Sequence, residues 1–97
     1  MEMRLLGKKS LDKFKQKHAD VRSQINSWEA EVEEAIWDTP IHLKKRYPKA
    51  SLLKGGYVIF DLCRNKYRLL TLVNYKNGIV LVKNIGNHKE YNNWKIN

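Results

Sequence analysis

The spacing of apolar residues changes once along this 97-residue chain, and that change limits the fold more than any other feature. Val21, Ile25, Trp28, Val32 and Ile36 recur at intervals of four, three, four and four. One face of a helix repeats in this way, because about 3.6 residues complete a turn. From residue 55 the pattern differs. Stretches 57–62, 66–75 and 79–85 are rich in β-branched residues, Leu and Tyr, in runs suited to strands. Cys63-Arg64-Asn65 and Lys76-Asn77-Gly78 fill the two gaps, and Asn-Gly is a strong hairpin signal. The prediction is a three-stranded antiparallel meander with helices from the N-terminal half covering one face.

Shorter signals complete the order. Arg4-Leu5-Leu6 reads as a short first strand ending at Gly7. Ser10 caps a helix to His18 that places Leu11, Phe14 and His18 on one face. Thr39-Pro40 opens a short third helix that runs to about Tyr47 and stops before Pro48. Gly86 ends the last strand, and Asn87 caps a final turn through His88-Lys89-Glu90-Tyr91. The order β-α-α-(α)-β-β-β is α+β, with N-terminal helices packed on a mostly antiparallel sheet. The length fits one domain spanning residues 1–97.

Charge is divided along the same boundary. Residues 1–38 hold 7 basic and 8 acidic residues, whereas residues 39–97 hold 12 basic and 2 acidic residues, Asp61 and Glu90. The excess of +9 therefore belongs to the C-terminal part. Such a field favours a polyanionic partner, nucleic acid ahead of acidic protein or anionic lipid; the plain alternative is a solvated basic surface. Glu29, Glu31, Glu33 and Glu34 crowd the end of the second helix, either as a solvated face or as a contact for a basic partner. The longest uninterrupted apolar runs are four residues, short of the roughly 20 needed to span a bilayer, so no membrane partner is expected. No apolar segment follows the N-terminus as a secretory signal would, and the single Cys63 excludes an internal disulfide. Both point to the reducing cytoplasm.

The residue types narrow the chemistry. Two carboxylates in the basic part are too few for a two-metal nuclease site. One Cys with three scattered His is a poor zinc set. Phosphate-loop and nucleophile-elbow motifs are absent. RNA offers a metal-free route, in which its 2′-hydroxyl attacks the adjacent phosphorus. That route needs a base, an acid and a cation on the phosphate. His suits proton transfer near neutral pH, Arg grips phosphate through its planar fork, and Tyr stacks on a base or carries a proton. Lys66 and Arg68 share one strand face by alternation, and Lys83 joins them if the register allows. His88 and Tyr91, three apart, share one side of the final turn. The structural alternative for Arg68 is a salt bridge to Glu90 or Asp61.

A set of motifs carries a resemblance over almost the whole chain. They are Trp28 with Trp37; Leu43-Lys44 before Tyr47-Pro48-Lys49-Ala50-Ser51; Val58-Ile59-Phe60; Asn65-Lys66-Tyr67-Arg68-Leu69; Asn74-Tyr75; and Gly86-Asn87-His88-Lys89-Glu90-Tyr91. With these the chain resembles the HigB family of toxins from type II toxin–antitoxin pairs, within the RelE/ParE-like group. The resemblance implies a RelE/ParE-like fold and a ribosome-dependent mRNA endoribonuclease, or mRNA interferase, that needs no metal or cofactor. It implies silencing by a helix-turn-helix antitoxin of HigA type, which alone binds operator DNA. Carried onto this sequence, Arg68 stabilises the phosphate, His88 is general acid or base, and Tyr91 orients or stacks the nucleotide or shares the proton transfer. Asn65, in the same motif as Arg68, is by the same resemblance an RNA-binding residue. Lys66, Lys83 and Lys89 supply phosphate contacts and Lys44 extends that surface. Asn92 stands where relatives often carry Asp, and Cys63-Arg64 where they are often Gly-rich. Two other activities fit the same residues: a ParE-like inhibitor of DNA gyrase, and a non-enzymatic RNA-binding module.

Overall fold

A computed structural model of the chain describes residues 2–94. In chain order the elements are β1 (Arg4–Leu6), α1 (Lys8–Lys17), α2 (Ala19–Glu34), α3 (Pro40–Arg46), β2 (Ser51–Leu52), β3 (Tyr57–Leu62), β4 (Tyr67–Asn74), β5 (Ile79–Asn87) and α4 (His88–Tyr91). The strands form one sheet in the order β1-β5-β4-β3-β2. β1 lies parallel to β5 and all other neighbours are antiparallel. The predicted meander and covering helices are present, so the fold is α+β. The two residues of β2 and the pairing of β1 beside β5 extend the sheet beyond the three predicted strands.

α2 buries Val21, Ile25, Trp28 and Val32, the predicted stripe. Ile36 departs from it and is 57% exposed. The helix stops at Glu34 because Ala35 turns extended (φ −71°, ψ 151°) and its carbonyl accepts the Met3 N–H at 3.0 Å. The entry of the edge strand thus ends the helix before the stripe does. α1 begins at Lys8 rather than Ser10. Gly7 occupies the N-cap at φ 81°, and Ser10 Oγ donates to the Gly7 carbonyl at 3.3 Å from inside the first turn. The α3 expectation holds: Thr39 caps with its side chain, Pro40 follows, and the helix ends before Pro48.

Helices and sheet meet over Val58, Phe60, Leu62, Tyr67, Leu69, Val73, Val80 and Val82, all buried. The rings of Trp28 and Tyr47 both stand edge-on to Phe60, at 5.3 and 5.1 Å between centroids. Each such side chain contributes about 1.5–3 kcal/mol when fully buried. Thr71, fully buried within the sheet, donates its hydroxyl to the Val58 carbonyl at 3.0 Å.

Three of the four glutamates of α2 neither stand free nor wait for a partner. Glu29 pairs with Lys15 at 3.2 Å and Glu33 with Lys8 at 3.8 Å, fastening α2 to α1. Glu31 takes Arg46 at 2.5 Å and the Tyr47 hydroxyl at 2.6 Å, fastening α2 to α3. Burial first, and then Glu31, push the Tyr47 phenol above its ordinary 10.0.

The opposite face of the sheet carries no helix from the N-terminal half. Strand alternation places Tyr57, Ile59 and Asp61, then Arg68, Leu70 and Leu72, on that side. The expected basic face is therefore largely apolar, with Arg68 at one end.

Candidate phosphodiester site

Arg68 lies directly opposite Gly86 across β4 and β5, and opposite Asp61 across β3 and β4. This register decides what surrounds the guanidinium. Gly86 is buried, and a Cβ there would meet the Glu90 Cβ and Oε1 at 3.0 Å. Only a residue without a side chain lets α4 fold back so closely on β5. The turn is then fixed by a capping box. Asn87 Oδ1 accepts the Glu90 N–H at 2.9 Å, and Glu90 Oε1 accepts the Asn87 N–H at 3.0 Å. Glu90 is thereby occupied, leaving Asp61 as the carboxylate of Arg68.

The returning turn sets Tyr91 over Arg68, with the guanidinium carbon 4.8 Å from the ring centroid. Trp94 stands edge-on to Tyr91 at 5.5 Å and 78°. A cation over a phenol ring is worth about 0.5–1 kcal/mol at an exposed site and more when desolvated. Arg68 Nη1 lies 3.4 Å from Asp61 Oδ1, and the two side chains are only 21% and 19% exposed. The pair is ionic rather than hydrogen-bonded, since Arg68 Nε and Asp61 Oδ1 are buried without hydrogen-bond partners. Asp61 holds the guanidinium in place without consuming its donors, and a phosphate needs two of the five.

His88 occupies the first position of α4, three residues before Tyr91. It is exposed, and among the described residues its ring makes no hydrogen bond. Lys89 beside it is exposed too. Arg68 and Tyr91 are thus in contact, and the turn that carries Tyr91 also carries His88 and Lys89. Lys83 is the extra residue of a bulge on β5, opposite the step between Leu70 and Thr71, and is exposed.

Other predicted residues lie elsewhere. Lys66 falls in the β3–β4 turn, and its ammonium swings to Asp20 of α2 at 2.7 Å. The expectation that it shares the face of Arg68 therefore fails. Alternation holds only inside a strand, and the preceding Cys63, Arg64 and Asn65 all have positive φ, 50°, 53° and 73°. The Lys66 hydrogen bond, above all, lowers the Asp20 carboxyl below its ordinary 3.8, and Asp20 in turn raises Lys66. Tyr67 Oη joins them, 3.1 Å from both Asp20 oxygens, and burial leads in raising its phenol. Asn65 sits at the exposed tip of that turn. Lys44 donates to the Ala50 carbonyl and bridges α3 to the start of β2. The sequence leaves Trp94 open between closing the sheet and lying in a tail; its place against Tyr91 depends on how α4 folds back.

A separate cleft of about 420 Å³ lies between α2, α3 and β3, floored by Trp28, Tyr47, Ala50, Phe60 and Leu62. It is mostly apolar, and Arg68, His88 and Tyr91 all lie outside it. Among the described residues no three His, Cys, Asp or Glu side chains gather as a metal site, and no helix is long and apolar enough to cross a membrane.

Comparison with known proteins gives the family. The sequence model of the HigB toxin family, described as the RelE-like toxic component of a toxin-antitoxin system, matches residues 21–94. That range runs from the first buried residue of α2 through Trp94, and so includes the whole site. No curated protein matches the sequence. With about three-quarters of the chain inside the match, the protein belongs to the HigB toxin family, RelE-like in fold, and is the toxic member of a pair whose other member is an antitoxin.

Proposed function

We propose that the chain is a ribosome-dependent mRNA interferase that cleaves RNA without a metal. The observation that carries this reading is the guanidinium of Arg68, held between Asp61 and the Tyr91 ring beside the turn that bears His88. A phosphate bound at Arg68 gains charge in the pentacovalent transition state, and a preorganised guanidinium stabilises that charge. The 2′-oxygen attacks phosphorus and gives its proton to a base. The P–O5′ bond breaks, and the leaving oxygen takes a proton from an acid. The products are a 2′,3′-cyclic phosphate and a 5′-hydroxyl, with no net consumption of the protein's protons. His88 fills one of these two proton roles. Tyr91, with one face given to Arg68, orients the guanidinium and offers its hydroxyl to the other role. Lys83, Lys89 and Asn65 contact the flanking phosphates. The work is cytoplasmic, on translated mRNA, until a HigA-type antitoxin silences it.

Expression of the chain followed by mapping of mRNA 5′ ends tests the proposal. New cuts within translated messages are expected, lost in Arg68→Ala and reduced at least about a hundredfold in His88→Ala, the usual range for general acid–base groups. Cuts that persist unchanged in both variants would refute it. Intact mRNA together with chromosomal double-strand breaks would instead indicate gyrase inhibition.

A further inference from the structure

The face of the sheet away from α1 and α2 carries an apolar row that crosses β1, β5, β4 and β3 and ends at the residue after β2. Leu6 is in register with Leu81, Leu81 with Leu72, and Leu72 with Tyr57. The Leu53 N–H bonds the Tyr57 carbonyl at 2.8 Å, which continues the row past β2. The neighbours of these residues on the same strands, Leu5, Val58, Val73, Val80 and Val82, belong to the helix-side core, whereas the row does not. Leu6 is 40% and Leu53 39% exposed, and the three between them are half-buried. Aliphatic side chains aligned this way offer nothing to a nucleotide, and a patch of this extent on a small protein marks a contact surface.

Charge selects the occupant. Asp61 is the one acidic residue on any strand of the sheet, and it is spent on Arg68. Around the row stand Arg4 on β1, Lys54 beside Leu53, and Lys83 on β5, all exposed and, among the described residues, without ion-pair partners. A second copy of the chain, itself at +9, would bring like charges together. An apolar stripe flanked by carboxylates would not. Five strands spaced about 4.8 Å apart span about 19 Å, the length of a helix of about 13 residues.

We propose that this row is the seat of an amphipathic, acid-flanked helix of the antitoxin, laid across the five strands. Its i, i+4, i+7 and i+11 side chains rest on the row, and its carboxylates face Arg4, Lys54 and Lys83. The proposal rests on membership in the toxin family and not on RNA cleavage, so the two fail separately.

The test uses the full chain and its antitoxin, co-expressed and purified as a complex. Leu6→Lys with Leu53→Lys changes only the exposed ends of the row, and Leu81→Thr changes its middle without adding charge. Affinity for the antitoxin is expected to fall about tenfold or more in each. Arg4→Glu with Lys54→Glu is expected to weaken binding most at low salt. Growth arrest by the Leu6→Lys, Leu53→Lys chain without antitoxin should be unchanged, and its circular dichroism native. Unchanged affinity across all variants overturns the proposal. So does sedimentation of the toxin alone as a dimer that Leu81→Thr dissociates, which would give the row to a second copy. Loss of growth arrest with antitoxin affinity intact overturns it as well, because the row would then serve the toxin's target.

Discussion

Asn87→Ala isolates what the capping box does. α4 has four residues and buries none of them, so helix propensity and packing hold it only weakly. What fixes it is the reciprocal pair between Asn87 and Glu90, together with the Arg68–Tyr91 contact. Removing an Asn cap costs about 1 kcal/mol. That lowers the ratio of docked to undocked turn about fivefold, since 1.4 kcal/mol is roughly tenfold. If the turn were part of the cooperative unit, the same loss would lower the melting temperature by about 4–8 °C in a chain of this size. A turn with no buried residue opens by itself, so the expected shift is about 1 °C or less. Hydrogen exchange gives the direct readout. The Asn92 and Trp94 N–H groups bond the His88 and Tyr91 carbonyls at 3.0 Å, and both should exchange about fivefold faster. mRNA cleavage should fall in step, because the same opening removes Tyr91 from Arg68. Unaltered exchange at these amides, or a melting temperature lowered by several degrees, would refute the idea that α4 docks as an independent piece held by its cap.

Two further outcomes test, in turn, the helix–sheet joint and the sheet interior. Asp20 titrates below its ordinary 3.8 when folded, so its contribution to stability is present above that value and disappears as pH falls through the lowered one. Urea midpoints of the parent chain should therefore drop on acidification below about pH 4, and Asp20→Asn should flatten that limb while leaving other carboxylates to titrate. Thr71→Val keeps the volume but removes the buried hydroxyl bonded to the Val58 carbonyl, and chemical denaturation should show a loss of about 1 kcal/mol.

Local signals in the sequence translated well into local structure. The strand at 57–62 and the Thr39-Pro40 helix start came from residue chemistry alone, as did the turn after Asn87, and all three stand where they were expected. The Asn-Gly pair did mark a hairpin. Its loop has four residues, because Asn74 Oδ1 accepts the Asn77 N–H at 2.9 Å and closes the turn one residue early. What escaped were the features set by distant parts of the chain. Ile36 continued the helical stripe on paper, but the Met3 N–H claims the Ala35 carbonyl and ends α2. Lys66 had the parity of Arg68, yet Asp20 draws it to the helix side, and no local rule encodes that pull. Within the candidate site, Arg68 and Tyr91 were named from the sequence, but their contact depends on Gly86 making room for Glu90. The apolar row is visible only once registers are known, since its members come from four strands and the residue that follows β2.

The parallel seam between β1 and β5 has a bearing on when this molecule becomes dangerous to its maker. β1 leaves the ribosome first, while β5 follows every other strand, and residues 4–6 have no place in the sheet until residues 79–81 exist. Arg68 likewise acquires its aromatic cover only after the segment past residue 87 has been added. A nascent product halted before residue 79 lacks the edge of the sheet, and one halted before Tyr91 lacks the aromatic cover of Arg68. If cleavage depends on that cover, as proposed above, the capacity to cut RNA arrives last, after every strand that offers an antitoxin a folded surface is already made.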